Sequence, residues 1–158
     1  MSKKAFILDL DDTLFIAKPL LDDIASKNHP TVDDYWQDFH NRVDQEELDW
    51  NCYSVVVNFI KAGWRPIIST ARSEEIYRKT FAHIKRVAPE LAEANPIILM
   101  RNYDDCRPSE AIKKEHLGHL MFNLGYDIQV VLDDDKNNIA MFRKHGIPTI
   151  EWVTYKED

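Results

Sequence analysis

The sequence predicts an α/β fold, a Rossmann-like parallel sheet covered by helices on both faces, with a small insertion after the first strand. Three observations predict it. Short apolar runs of β type alternate with segments of helical period. The first four runs each end at a polar or charged residue, as buried parallel strands do where they leave a sheet. The stretch between the first two runs is too long for one crossover helix.

Taken in order, the first strand is predicted over 5–8 and delivers the chain to Asp9. Residues 15–63 are acidic and rich in aromatics (Tyr35, Trp36, Phe39, Trp50, Tyr53). They read as a minimal cap within about 15–52 plus a helix, seated over the C-terminal edge of the sheet, where open α/β sheets bind ligands. Within them, 33–47 sets Trp36, Phe39 and Val43 on one helical face, expected to be core, and 54–62 aligns Val56, Phe59 and Ile60. A second strand over 66–69 leads into a helix over 74–87 that aligns Ile76, Thr80, Ile84 and Val87. The third strand, 96–100, precedes a helix over 109–124, with Ser109 as N-cap, Gly125 at C′, and Leu117, Leu120, Met121 and Leu124 inward. The fourth strand, 128–132, feeds a helix over 137–145 that stops at Gly146 before Pro148, and a last run covers 149–153. No repeat or interdomain linker interrupts the pattern, so 1–158 reads as a single domain.

Composition narrows the function. A hydrophobic content of 44% supports an ordinary core. A net charge of −7 argues against a large sequence-independent footprint on nucleic acid but leaves room for a pocket holding one phosphate or one strand end. Cys52 and Cys106 form no CxxC pattern, so neither a disulfide framework nor a zinc site is expected, and a reduced, cytoplasmic chain is the simple reading. The N-terminal apolar stretch is too short for a signal peptide, and no window approaches the roughly 20 apolar residues of a membrane span.

The chemistry concentrates at strand ends. Asp9-Leu10-Asp11-Asp12-Thr13 follows the first strand directly, and two carboxylates two residues apart on an emerging strand can share a pocket. One can attack phosphorus while its neighbour carries a proton for the leaving oxygen, because burial and like charge split their proton affinities. A phosphate dianion would be repelled by such a pair without a divalent cation, and hard oxygen ligands suit Mg²⁺. Acidic doublets are common in this chain, but Asp133-Asp134 stands out by following a buried-type strand, and beside the first strand it would complete a metal site with Asp9 and Asp11. Ser69-Thr70-Ala71-Arg72, at a third strand end, offers hydroxyl and backbone donors for phosphoryl oxygens and a guanidinium for charge-assisted bonds. A lysine near the start of the 109–124 helix can neutralise charge on phosphorus, though spacing alone does not separate Lys113 from Lys114 or Lys136. His116 and His119 read as ordinary surface or packing residues, for no ligand set of zinc spacing accompanies them.

These four motifs, in this order, resemble the haloacid dehalogenase-like phosphatase superfamily: Asp-x-Asp-x-Thr, a Ser or Thr, a Lys, and an acidic pair. A closer likeness is to the 3′-phosphatase domain of phage-type polynucleotide kinase-phosphatases. It runs through Leu99-Met100-Arg101, Asp105, Arg107-Pro108, Ile112-Lys113, Glu115, Val131-Leu132-Asp133-Asp134 and Met141-Phe142-Arg143 to Gly146, with Thr70-Ala71-Arg72 in place of Ser-Gly-Arg. Residues 1–158 contain no Gly-x-x-x-x-Gly-Lys-[Ser/Thr] loop, so no kinase domain is expected among them.

The resemblance implies Asp9 as nucleophile, Asp11 as general acid and then base, and Thr70 and Lys113 as phosphoryl ligands. It implies Ala71 and Arg72 as further substrate contacts. Mg²⁺ would be held by Asp9, the main-chain carbonyl of Asp11, and Asp133 and Asp134, with the direct ligand of that pair left open. The implied substrate is a phosphorylated nucleotide or a nucleic acid 3′ end; a nucleotidase or small-metabolite phosphatase is the alternative, and a non-catalytic binding protein a third. Asp12 stands where glycine is frequent, and oligomeric state is not legible.

Overall fold

A computed structural model describes residues 3–154; residues 1–2 and 155–158 of the expected 1–158 domain lie outside the described residues. Five strands form one parallel sheet: β1 (Lys3–Leu8), β4 (Arg65–Ser73), β5 (Ile97–Arg101), β6 (Tyr126–Asp133) and β7 (Thr149–Glu151). Their spatial order is β5-β4-β1-β6-β7, so β1 lies at the centre.

Alternation along β1 sorts its side chains to two faces. Phe6 and Leu8 enter a core with Leu10, Leu14, Phe15, Val56, Ile68 and Ile84. Ala5 and Ile7 enter another with Ile67, Leu117, Leu120, Val131 and Phe142. The first core is covered by α3 (Trp50–Lys61), α4 (Tyr77–Val87) and α5 (Pro89–Glu93), the second by α6 (Ser109–Gly118) and α7 (Lys136–Lys144). Removing a fully buried phenylalanine such as Phe6 from water is worth about 2–3 kcal/mol, so the central strand is fixed by burial on both sides.

The insertion is bracketed by a two-stranded antiparallel ribbon, β2 (Phe15–Ile16) with β3 (Glu47–Leu48). Between them run α1 (Lys18–Ala25), α2 (Val32–Arg42) and a 3₁₀ turn, Val43–Gln45. Leu20, Ile24, Phe39 and Val43 form a small core that closes against Ile76, just before α4. Phe39 and Val43 are buried as expected, but Trp36 is 48% exposed: its ring lies edge-on to Tyr35 and Phe39 instead of entering the core. Lys79 donates to the Asn41 carbonyl (2.9 Å) and Arg86 to that of Asp44 (3.0 Å), fastening the insertion to α4.

Other departures have local causes. Helix α3 starts at Trp50, ahead of the expected 54, because the Asp49 carboxylate accepts from the Cys52 amide (3.0 Å) and also from Trp152 Nε1 (3.0 Å). Asp49→Ala is therefore expected to lower stability by about 1–3 kcal/mol in urea unfolding, a cap and a cross-chain tie being lost together. Helix α5, opened by Pro89, is too short to show periodicity. Ser109 is the first helical residue of α6, not its N-cap, and its hydroxyl accepts from Asn138 Nδ2 (3.2 Å). The helix passes into a π-helical turn, His119–Asn123, and Gly125 follows with φ 71°, as a C-terminal glycine does.

Candidate active site

Because β1 lies between β4 and β6, the ends of these three strands converge. The ladder carries one residue past β1, with the Asp9 amide donating to the Leu132 carbonyl (3.0 Å). The chain then turns sharply, the Thr13 and Phe15 amides both donating to the Leu10 carbonyl (3.1 and 2.9 Å). Asp12 takes φ 58° at this turn, a left-handed conformation that aspartate tolerates better than most residues. Its carboxylate accepts from the amides of Ala17 (2.8 Å) and Lys18 (2.9 Å), so the charge that replaces glycine complements the positive end of α1.

Asp9, Asp133 and Asp134 each present one oxygen, all within 4.8 Å of one another. Lys113 reaches into the group from the first turns of α6, with Nζ 2.9 Å from Asp9 Oδ1 and 2.5 Å from Asp133 Oδ2. Its side chain is 2% exposed, whereas Lys114 and Lys136 face solvent, which resolves the choice that spacing left open. Thr13 Oγ1 lies 3.3 Å from both Asp9 Oδ2 and Asp134 Oδ1. Asp133 is held by the Asp135 amide (3.0 Å) and by Asn138 Nδ2 (3.2 Å).

Three carboxylates face one ammonium. Burial first, then the charge of Asp133, push the Asp9 carboxyl well above the usual range, with Lys113 opposing. Burial raises Asp134 as well. Burial opposes the charge on Lys113, but Asp9 and Asp133 outweigh it and hold the ammonium above its ordinary value. A buried surplus of negative charge on hard oxygen donors is the environment a divalent cation such as Mg²⁺ relieves, so the residues fit that ion.

Asp11 turns away from this cluster. Its carboxylate accepts from Arg72 Nε (3.0 Å) and Nη2 (2.8 Å). Burial disfavours its charge, yet the Arg72 guanidinium holds its carboxyl below the usual range. Arg72, expected as a substrate contact, has a side chain only 1% exposed, and its Nη2 also donates to Glu46 Oε1 (2.8 Å). Burial and the neighbouring Asp11 push Glu46 up to about 10.

The strand-end hydroxyls divide by face. Ser69 Oγ bonds to His116 Nδ1 (2.7 Å), and burial lowers that histidine to about 4, so His116 is a packing residue inside the fold. Thr70, on the opposite side of β4, accepts from the Arg72 amide (3.1 Å), which leaves its proton to donate elsewhere. Ala71 is half-buried, and its carbonyl accepts from Arg101 Nε (3.0 Å). Thr13, Asn138 and Glu46 were not singled out from sequence. Thr13 belonged to the first motif, but nothing in the sequence joins Glu46 to position 72.

A central parallel strand ending in a buried aspartate, answered by a lysine and an acidic pair from neighbouring elements, defines a haloacid dehalogenase-like phosphatase domain. Residues 3–155 match the family described as the polynucleotide kinase PNKP phosphatase domain, and the chain belongs to that family. Among solved structures it is similar to a chain of the Pnkp1/Rnl/Hen1 RNA repair complex (TM-score 0.70, 21% identity, covering 98% of this chain and 44% of that one). It is also similar to a haloacid dehalogenase-like hydrolase from Streptococcus pneumoniae (0.64, 11%, 92% and 82%). A phosphatase structure from Clostridium difficile is comparable (0.65, 15%, 94% and 84%). These identities establish the shared fold, and the chain spans less than half the length of the repair-complex chains it matches. No curated protein matches it.

Proposed function

We propose that this domain is a Mg²⁺-dependent phosphomonoesterase that removes 3′-phosphates from nucleic acid ends or nucleotides through a phosphoryl-aspartate at Asp9. The observation that carries the reading is the meeting of Asp9, Asp133, Asp134 and Lys113 at one point. Family membership supports the substrate class.

Asp9, Asp133, Asp134 and the Asp11 carbonyl would hold Mg²⁺, which when bound offsets the carboxylate charge that repels a phosphate dianion. Lys113 and the Thr70 hydroxyl bind the phosphoryl oxygens. Asp9 Oδ attacks phosphorus as the ester P–O bond breaks, and Asp11 gives its proton to the departing oxygen. Water then attacks the phosphoryl-aspartate, Asp11 takes a proton from that water, and inorganic phosphate leaves with the Asp9 carboxylate restored. The Arg72 pair favours ionised Asp11, the form the second step needs, while the negative charge of an entering phosphate raises its proton affinity for the first.

A nucleotidase or small-metabolite phosphatase is the second reading, favoured by the −7 net charge and the small insertion. A panel at fixed Mg²⁺ and low salt separates them. Release from a 3′-phosphorylated oligonucleotide is expected to exceed that from 5′-mononucleotides and sugar phosphates; equal rates on a sugar phosphate count against the 3′-end assignment. Chelation is expected to stop release while leaving far-ultraviolet circular dichroism unchanged, because the hydrophobic cores form without the ion. A cytoplasmic setting is part of the proposal, supported by two free cysteines, buried Cys52 and exposed Cys106. Among the described residues no helix is long and apolar enough to cross a membrane.

A further inference from the structure

The insertion and the acid–base residue meet through one side chain. Glu46 lies between the 3₁₀ turn Val43–Gln45 and β3, at the point where the insertion returns to the sheet. Its side chain is fully buried, and Oε1 accepts from Arg72 Nη2 at 2.8 Å. The same nitrogen donates to Asp11 Oδ1 at 2.8 Å, while Nε takes Asp11 Oδ2 at 3.0 Å and Nη1 reaches Thr80 Oγ1 at 3.3 Å. The guanidinium also lies over the Phe15 ring, 5.7 Å from its centroid, and Phe15 stacks on His83 at 4.4 Å.

We infer that Glu46 is a positioning residue through which the seated insertion fixes Arg72, and through it the Asp11 carboxylate. The inference rests on the phosphatase reading and adds that the acid arm is assembled only when the insertion is in place. A planar guanidinium held on three sides has one orientation; with Glu46 gone, Nη2 loses one of its two acceptors and the fork that aims Asp11 loosens. Orientation errors of about 1 Å cost on the order of 10²-fold when a group must meet a reacting atom. In the phosphoryl-transfer step the loss should appear only where the leaving oxygen needs a proton; the later hydrolysis, in which Asp11 is the base, is common to all substrates. An alkyl phosphate has a basic leaving oxygen and requires the acid, whereas the p-nitrophenolate of p-nitrophenyl phosphate departs readily without it.

The experiment compares kcat/KM, which reports the phosphoryl-transfer step and not the later hydrolysis, on these two substrates for the whole chain, Asp11→Asn, Glu46→Ala and Glu46→Gln, with Tm measured for each. Glu46→Ala is expected to lose about 30-fold or more in kcat/KM on the alkyl phosphate and far less on p-nitrophenyl phosphate. Glu46→Gln, which keeps an oxygen toward Arg72, is expected to recover most of that loss. An equal fall on both substrates, or no fall, overturns the inference, since a purely structural role does not sense the leaving group. The Asp11→Asn arm separates the two layers. If it shows the leaving-group selectivity and Glu46→Ala does not, the coupling alone fails; if neither shows it, the acid role of Asp11 fails with it.

Discussion

Asp9→Asn is expected to remove Mg²⁺-dependent phosphate release, by roughly 10⁴-fold or more, and to leave the fold intact. The size follows from the position of the group. Asp9 is the carboxylate at the end of the central strand, and it contacts both Lys113 and the Thr13 hydroxyl while sharing the 4.8 Å cluster with Asp133 and Asp134. An amide oxygen is a poor nucleophile and a weaker ligand for a hard cation, so attack and ion binding suffer together. The fold survives because the amide keeps an oxygen for Lys113 and because β1 is fixed by Phe6, Leu8, Ala5 and Ile7, which are buried independently of the site. A variant with near-normal activity contradicts the nucleophile assignment; an unfolded one contradicts the separation of core from site.

Lys113→Met carries the second large effect, this time on stability as well as rate. The ammonium is the only cation bonded to Asp9 and Asp133 among the described residues, and both carboxylates are buried. Removing one partner of a buried ionic group and leaving the others uncompensated costs about 3–5 kcal/mol. Without Mg²⁺, urea unfolding should show a loss of that order. The pH dependence has a definite sign: carboxylates whose folded affinity for protons exceeds the unfolded value lose stability as pH rises above the ordinary carboxylate range. The variant should therefore be least stable at alkaline pH. Saturating Mg²⁺ should restore part of the loss, about 2.7 kcal/mol at a concentration 100-fold above Kd. A variant as stable as the parent in chelator, or blind to Mg²⁺, contradicts the electrostatic account of the site. Activity should remain low even with the ion, because the phosphoryl oxygens lose their cationic partner.

Much of this arrangement was legible in the amino-acid sequence, for physical reasons that differ by residue. The apolar runs in β1, β4, β5 and β6 announce themselves because burial selects apolar residues there, and each run stops at a polar residue, although β5 at the sheet edge is only half-buried and β4 continues past its run to Ser73. Asp9, Thr70 and Asp133 were found at those stops. Lys113 was found only with help from resemblance: its neighbours Lys114 and Lys136 are equal in sequence, and burial beside two carboxylates distinguishes it. The insertion was located, but its interior was not. Helix α1 has eight residues, too few for a clear period, and the β2–β3 ribbon has two residues in each strand. Trp36 was misplaced because an aromatic stripe specifies a helical face without saying how much of it the small insertion can cover. Arg72 was expected to contact substrate; its enclosure by Asp11 and Glu46, 61 and 26 positions away in the chain, is a pairing that no local pattern encodes.

The proposed catalytic route depends on the Asp9 carboxylate accepting the phosphoryl group. Rapid quenching during turnover of a 3′-phosphorylated substrate, followed by borohydride reduction and peptide mass spectrometry, tests this directly. A phosphoryl-aspartate is reduced to homoserine, and the account predicts homoserine at position 9, absent without Mg²⁺. Unmodified aspartate at position 9 during sustained turnover, or homoserine at another aspartate, would contradict it.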